Sequence, residues 1–406
     1  LFAAFYKLEG FLPYFWGGNT LLSAAVVLFL FGNDDNPTIK LTWFFILAVL
    51  PVFGLILYLF IRTDLGHRLM IRRYNDILSQ TEHFAPSESA CSKEELPEEL
   101  QSLASYLNSC GFPCYQNTQA QYFPLGDDAF EVMCDELQKA EHFIFLEYFI
   151  VREGYMWGRI LEILKEKVNA GVEVRVLYDG TCAVALLPYS YPQKLEKLGI
   201  ACKMFAPLRP FVSTHYNYRD HRKIACIDGD VAYTGGVNIA DEYANIIERF
   251  GYWKDSGVCL EGEGAWGLTA SFIRMCVNLG GVMHNEHDYY RPHTPVKSEG
   301  FCQPFTDGPQ NNPDNPAEDV FLQMISGARR FLYITTPYFI PDESLMRALC
   351  IAGDGGVDVR LMLPGKPDHW YADCVAESYF GELIKHGVKV YRYTPGFLHG
   401  KSIMVD

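Results

Sequence analysis

Apolar residues recur along most of this chain at two alternating periods. From Ala129 a stretch with helical spacing leads into residues 142–151 (HFIFLEYFIV), a nearly continuous apolar run with the length and aromatic content of a buried strand. Further helix-like stretches precede strand patterns at 172–178 (VEVRVLY) and 201–205. The series then returns, with strands at 331–341 (FLYITTPYFIP), 357–363 (VDVRLML) and 388–393, each after helix-like residues. Strands alternating with helices predict an α/β fold, and the recurrence predicts two similar α/β sandwich halves. These are expected at 122–290 and 317–406, joined at 291–316 by a loop rich in Pro, Asn and Gly.

The pattern ahead of the halves is different. Residues 41–61 form a 21-residue run without a charge, long enough to cross a bilayer as one helix despite Pro51 and Gly54. Residues 11–31 are uncharged too, and Tyr14 and Trp16 suit a membrane interface. Two transmembrane helices are therefore expected, at about 11–31 and 41–61, within an anchor spanning 1–62. Asp34 and Asp35 stand against Lys40 between them, whereas Arg62, Arg68, Arg72 and Arg73 follow the second run. That imbalance predicts a cytoplasmic location for everything downstream. Residues 63–121 read as a tether with one helix at 94–107.

Each half ends on the same spacing. His221, Lys223 and Asp228 fit His-x-Lys-x4-Asp, and His399, Lys401 and Asp406 fit it again. Alternate residues of a strand share a face, so each pair sets an imidazole beside an ammonium. An imidazole attacks phosphorus or moves a proton near neutral pH, and an ammonium steadies the charge on non-bridging oxygens. One copy is a weak signal; two copies closing two similar segments predict one active site built from both halves. The Asp lies an odd number of residues from the His, which turns it to the other face, as an anchor for the following turn.

Asp228-Gly229 is a two-residue hairpin signal. Counting back across it pairs Ile227 with Asp230, Lys223 with Thr234 and His221 with Gly236. Gly235 and Gly236 would then let a phosphate approach the backbone, and the Asn238 amide would donate to it. Residues 251–260 read as one strand in which Asp255 is placed to fix the tautomer of His221.

Composition narrows the chemistry. The net charge of −15 argues against a nucleic-acid enzyme, and 49% apolar residues supply ample core. The twelve cysteines lack metal-ligand spacing, Cys110 and Cys114 being the nearest pair, and read as reduced buried thiols.

The phrases RDHRKIACIDGDVAYTGGVNIADEY, ERFGYWKDSGV, ITTPYFIPDESL and GFLHGKSIMVD, together with the apolar N-terminal runs, resemble bacterial cardiolipin synthases of the phospholipase D superfamily. The resemblance extends to the last residue. It implies a phosphatidyltransferase of the bacterial cell membrane that joins two phosphatidylglycerol molecules into cardiolipin and releases glycerol, with no cofactor or metal. It also implies that His221 forms a phosphatidyl-histidine intermediate while His399 acts as acid and then base; the residues themselves permit the reverse order. Lys223 and Lys401 would supply the charge that magnesium brings to other phosphoryl-transfer sites. The alternatives are a hydrolytic phospholipase D, a transphosphatidylase using another alcohol, and a lipid-binding scaffold with a degenerate site. In the family a returning strand, a Gly-Ser-x-Asn turn and a further carboxylate follow the position of Asp406. The chain thus reads as a fragment at both ends, and the 406-residue piece is expected to be inactive or poorly folded.

Overall fold

The computed structural model describes residues 21–22, 24–32, 37–62, 72, 76–77, 79–81, 84, 91–207, 219–284, 289–308 and 315–406. They belong to two units, residues 1–70 with 211–217 and residues 71–210 with 218–406.

The first unit corrects the expectation of two transmembrane helices. The uncharged run at 41–61 is divided between α1 (Pro37–Val49, 13 residues) and α2 (Pro51–Arg62, 12 residues). Trp43 and Tyr58 would lie about 22 Å apart along one continuous helix, yet their ring centroids are 5.2 Å apart. The chain therefore turns back on itself at Leu50. A proline at 51 has no N–H for the carbonyl four residues earlier, which ends α1. Gly54 lets α2 close on α1, because a Cβ there would meet the Ile46 carbonyl oxygen and side-chain methyl at 3.0 Å. Among the described residues no helix is long and apolar enough to cross a membrane. Residues 11–20 and 23 of the other expected span, with Asp34, Asp35, Arg68 and Arg73, lie outside the described residues.

In the second unit the helix expected at 94–107 is broken by Pro97 into a 3-10 turn at Lys93–Glu95 and α3 (Glu98–Ser109). Then come β1 (Thr118–Phe123), α4 (Gly126–Lys139), β2 (Phe143–Tyr148), α5 (Tyr155–Asn169), β3 (Glu173–Asp179), β4 (Ala201–Phe205), β5 (Lys223–Ile227), β6 (Val231–Gly235), β7 (Tyr252–Lys254), β8 (Gly257–Gly262) and α6 (Ala265–Asn278). The seven-stranded sheet runs β1-β8-β6-β5-β2-β3-β4. Successive β2 residues face opposite sides: Ile144 and Leu146 join the core under α4 and α5, while Phe143 and Phe145 join the core under α6. Phe145 stacks on Phe272 of α6 at 4.5 Å. With both faces covered, the strand is an unbroken apolar run instead of an alternating one, and each large side chain contributes about 1.5–3 kcal/mol of burial.

The second half is α7 (Pro316–Gly327), β9 (Phe331–Thr335), α8 (Glu343–Asp354), β10 (Asp358–Pro364), α9 (Trp370–Lys385), β11 (Lys389–Tyr393), β12 (Gly396–Leu398) and β13 (Ser402–Val405). Its sheet, β11-β10-β9-β13, repeats the order β4-β3-β2-β5. In both, two parallel pairings are followed by an antiparallel strand that carries the lysine motif. The strand expected at 251–260 is split. β7 leaves the seven-stranded sheet to pair in parallel with β12 of the other half, while β8 stays between β1 and β6. Gly396 permits that crossing, since a Cβ there would stand 2.0 Å from the Tyr252 carbonyl oxygen.

Candidate active site

β5 runs antiparallel to β2 with Lys223 opposite Tyr148, so His221 and Lys223 stand where β2 leaves the sheet. β13 is antiparallel to β9 with Ser402 opposite Thr335, which puts His399 and Lys401 at the matching end of the other half. The β7–β12 pairing draws the two ends together: Lys401 and His399 both act electrostatically on His221. Each lysine folds back on its own histidine, Lys223 Nζ donating to the His221 carbonyl at 2.5 Å and Lys401 Nζ to the His399 carbonyl at 2.6 Å. These contacts fix the ammonium next to its imidazole.

The two imidazoles have different surroundings. His399 is buried among Tyr243, Trp253 and Phe397, with its Nδ1 2.5 Å from Asp255 Oδ2. Asp255, expected to serve His221, thus serves the histidine of the other half. The reason is the split strand: β7 carries Asp255 across to β12, and the His399 backbone N–H donates to the Lys254 carbonyl at 2.8 Å. His221 is exposed on one side and lies against the Phe149 ring at 4.7 Å.

Burial, and after it crowded positive charge, sets the protonation of the cleft. Loss of water, then Lys223, Lys401 and His399, push the His221 pKa well below the ordinary imidazole range. Burial lowers the His399 pKa too, against the upward pull of Asp255. Burial and then Lys401 bring Lys223 down to about 7, and burial brings Lys401 down to about 8. An anion entering this group of cations would raise all four.

The aspartates of the two motifs are elsewhere. Asp228 is five residues beyond Lys223, roughly 17 Å along the strand, and its carboxylate accepts the backbone N–H groups of Glu141, His142 and Phe143 at 2.7–2.8 Å. Asp406 repeats this with Arg329, Arg330 and Phe331 at 2.9–3.1 Å. Each one ties the end of the motif strand to the start of the neighbouring strand, β2 for Asp228 and β9 for Asp406, so both are architectural and lie away from the cleft.

Three further candidates change partners. The turn after β5 holds three residues, because Asp230 turns its carboxylate to the backbone N–H groups of His293 and Thr294 at 2.6 and 2.8 Å. Ile227 consequently pairs with Val231, and Lys223 lies opposite Gly235, one position from the expected register. The two glycines make room for protein instead of phosphate: a Cβ on Gly236 would lie 1.9 Å from Asp255 Oδ1, and one on Gly235 2.4 Å from the Ser256 carbonyl oxygen. Asn238, 1% exposed, accepts the Ile150 N–H at 3.0 Å and also bonds the Tyr243 hydroxyl.

Sequence reading missed Asp179, the buried last residue of β3. It accepts the Asp220 N–H at 2.9 Å and the Thr181 N–H at 2.8 Å, holding the approach to His221. An acid closing the strand directly before Gly180 is the signal that could have found it.

Two imidazoles and two ammoniums gathered from both halves, with a carboxylate behind one imidazole, define a phosphodiester-processing enzyme that neither half completes alone. The family described as cardiolipin synthase, PLD-like domain, matches residues 133–246 and 321–406, and the phospholipase D-nuclease N-terminal family matches 20–62. A cardiolipin synthase of Halalkalibacterium halodurans is 37% identical over 397 residues, covering 95% of this chain and 77% of the relative. One from Oceanobacillus iheyensis is 33% identical over 393 residues, covering 94% and 81%. The crystal structure of phosphatidylserine synthase from Haemophilus influenzae shares the fold, with a TM-score of 0.50 and 17% identity over 73% of this chain and 77% of that one. The chain belongs to the cardiolipin synthase family of phospholipase D-like, membrane-associated phosphatidyltransferases.

Proposed function

We propose that the enzyme to which this chain belongs transfers a phosphatidyl group from one phosphatidylglycerol to the headgroup hydroxyl of a second, giving cardiolipin and glycerol. The observation that carries this reading is the convergence of the two His-x-Lys pairs, one histidine open and low in proton affinity, the other held by Asp255. A ring nitrogen of neutral His221 attacks phosphorus. The bond from phosphorus to the headgroup oxygen breaks, and that oxygen takes a proton from His399 as glycerol leaves. In the second step the hydroxyl of the incoming lipid attacks phosphorus, gives its proton back to His399, and returns the nitrogen's electron pair to His221. Asp255 holds the His399 Nδ1–H, which leaves Nε2 for both proton transfers. Bound phosphate supplies the negative charge that makes protonated His399 accessible despite its burial, and Lys223 and Lys401 balance the non-bridging oxygens. The catalytic unit works at the cytoplasmic face of a bacterial membrane, the side that the excess of arginine at 62–73 in the sequence favours.

The test is product analysis. The enzyme with vesicles of headgroup-labelled phosphatidylglycerol should give cardiolipin and free glycerol, and His221→Ala should give neither. Phosphatidic acid as sole product would assign a hydrolase; a product built on added serine or ethanol in preference to lipid would assign another transphosphatidylase.

A further inference from the structure

Next to His221 in the chain lies a buried polar cluster that the transfer steps leave unused. Glu147 interrupts the apolar run of β2 and is 0% exposed. Its Oε1 accepts from Arg222 Nη1 at 3.2 Å, while its Oε2 meets no donor among the described residues. Asp220, 4% exposed, directly precedes His221. Its Oδ1 accepts the Arg222 backbone N–H at 3.2 Å, and its Oδ2 likewise meets no donor among the described residues. The two carboxyl groups are within hydrogen-bonding reach of each other. Two bare carboxylate oxygens in contact and out of water repel one another and lack the hydrogen bonds that buried polar atoms require. A single proton between them satisfies both oxygens.

We propose that Glu147 and Asp220 hold one proton between them, and that this acid pair, anchored by Arg222, positions His221 and keeps it uncharged. The groups facing Glu147 agree with this. Burial and then Asp220 raise its pKa well above the carboxylate range, and Arg222 opposes them. The thiols of Cys226 on β5 and Cys276 on α6 also feel Glu147, and both are themselves raised by burial. Asp220 is held from the other side as well, through its backbone N–H on Asp179, so the strand entering His221 is clamped between an ion-pair anchor and the acid pair. Loss of the proton would add a second buried anion beside the motif strand. Asp220 already favours the charged form of Lys223, and a further anion would favour imidazolium at His221, which has no lone pair for attack. The positioning role rests on His221 acting as nucleophile; the shared proton does not.

The experiment is infrared spectroscopy of the enzyme joined to kinetics on phosphatidylglycerol vesicles. At pH 7 the spectrum should contain the carbonyl stretch of a protonated carboxyl group, sensitive to D2O, and both Glu147→Gln and Asp220→Asn should remove it. Each amide donates where the proton stood, so each single variant should cost kcat no more than about threefold. The double variant removes both acids beside Arg222 and should lose more than about tenfold in kcat, well beyond the product of the singles, with KM little changed. Absence of the acid carbonyl stretch in the unsubstituted enzyme, its persistence in both single variants, or additive kinetics would overturn the proposal. The spectrum of the unsubstituted enzyme decides the shared proton even where a variant fails to fold, and it does not depend on which lipid is the substrate.

Discussion

The two motif copies are alike in geometry and unlike in environment. In both, the lysine donates to the carbonyl of its own histidine and the aspartate collects three backbone N–H groups. Yet His399 is buried with a carboxylate on Nδ1, whereas His221 is open on one side and faces mainly cations on the other. The motif therefore builds a place for two equivalent imidazoles, and surroundings outside it divide the labour. An imidazole depleted of protons suits attack; one gripped by a carboxylate suits proton transfer.

Leaving-group chemistry breaks this comparison most strongly. His221→Ala should abolish turnover on every donor, whereas His399→Ala should lose roughly 10²–10⁴-fold on phosphatidylglycerol and regain most of that on a phosphatidyl ester of a nitrophenol, which departs without a proton. Equal rescue of both variants, or of neither, would erase the distinction. A smaller loss, about 10–100-fold in kcat, is expected for Asp255→Asn, again with recovery on the nitrophenyl ester; a loss that the better leaving group does not relieve would mean that Asp255 serves the attacking step. The smallest effect concerns protons. Because the cleft's four basic groups have depressed pKa values when empty, and Lys223 and Lys401 titrate near 7 and 8, an anion that raises them is bound with proton uptake. Affinity for sulfate, an anion that does not itself titrate in this range, should thus fall as pH rises through 7 to 8, by up to about tenfold per unit for each proton taken up. Calorimetry in two buffers of different ionisation enthalpy would count those protons, and a count of zero would remove the crowded-cation account.

Much of this was legible before any coordinates. The apolar runs at 142–151 and 331–341 locate the strands that carry both half-sites, and the repeated His-x-Lys spacing names the four groups of the cleft. Periodicity carries no information about pairing across the halves, however. The exchange of Asp255 from His221 to His399 depends on three residues of β7 leaving one sheet for another. Gly235 and Gly236 look like a phosphate cradle because glycine marks close approach without saying what approaches; here it is Asp255 and Ser256. The register slipped by one position because Asp230 is drawn out of the ladder by His293 and Thr294, more than sixty residues away. The apolar stretch at 41–61 was misread since length and hydropathy are blind to a reversal at Leu50.

The carboxylate and the imidazole it holds are 144 residues apart in the chain, and they meet through three residues of β7 lying on three of β12. During synthesis His221, the proposed nucleophile, emerges long before His399, the proposed acid for its leaving group. A nascent or half-folded chain therefore carries a nucleophile without its acid. On that assignment competence is conferred at the moment the halves dock, which makes assembly the safety catch on a phospholipid-processing enzyme that works beside a membrane.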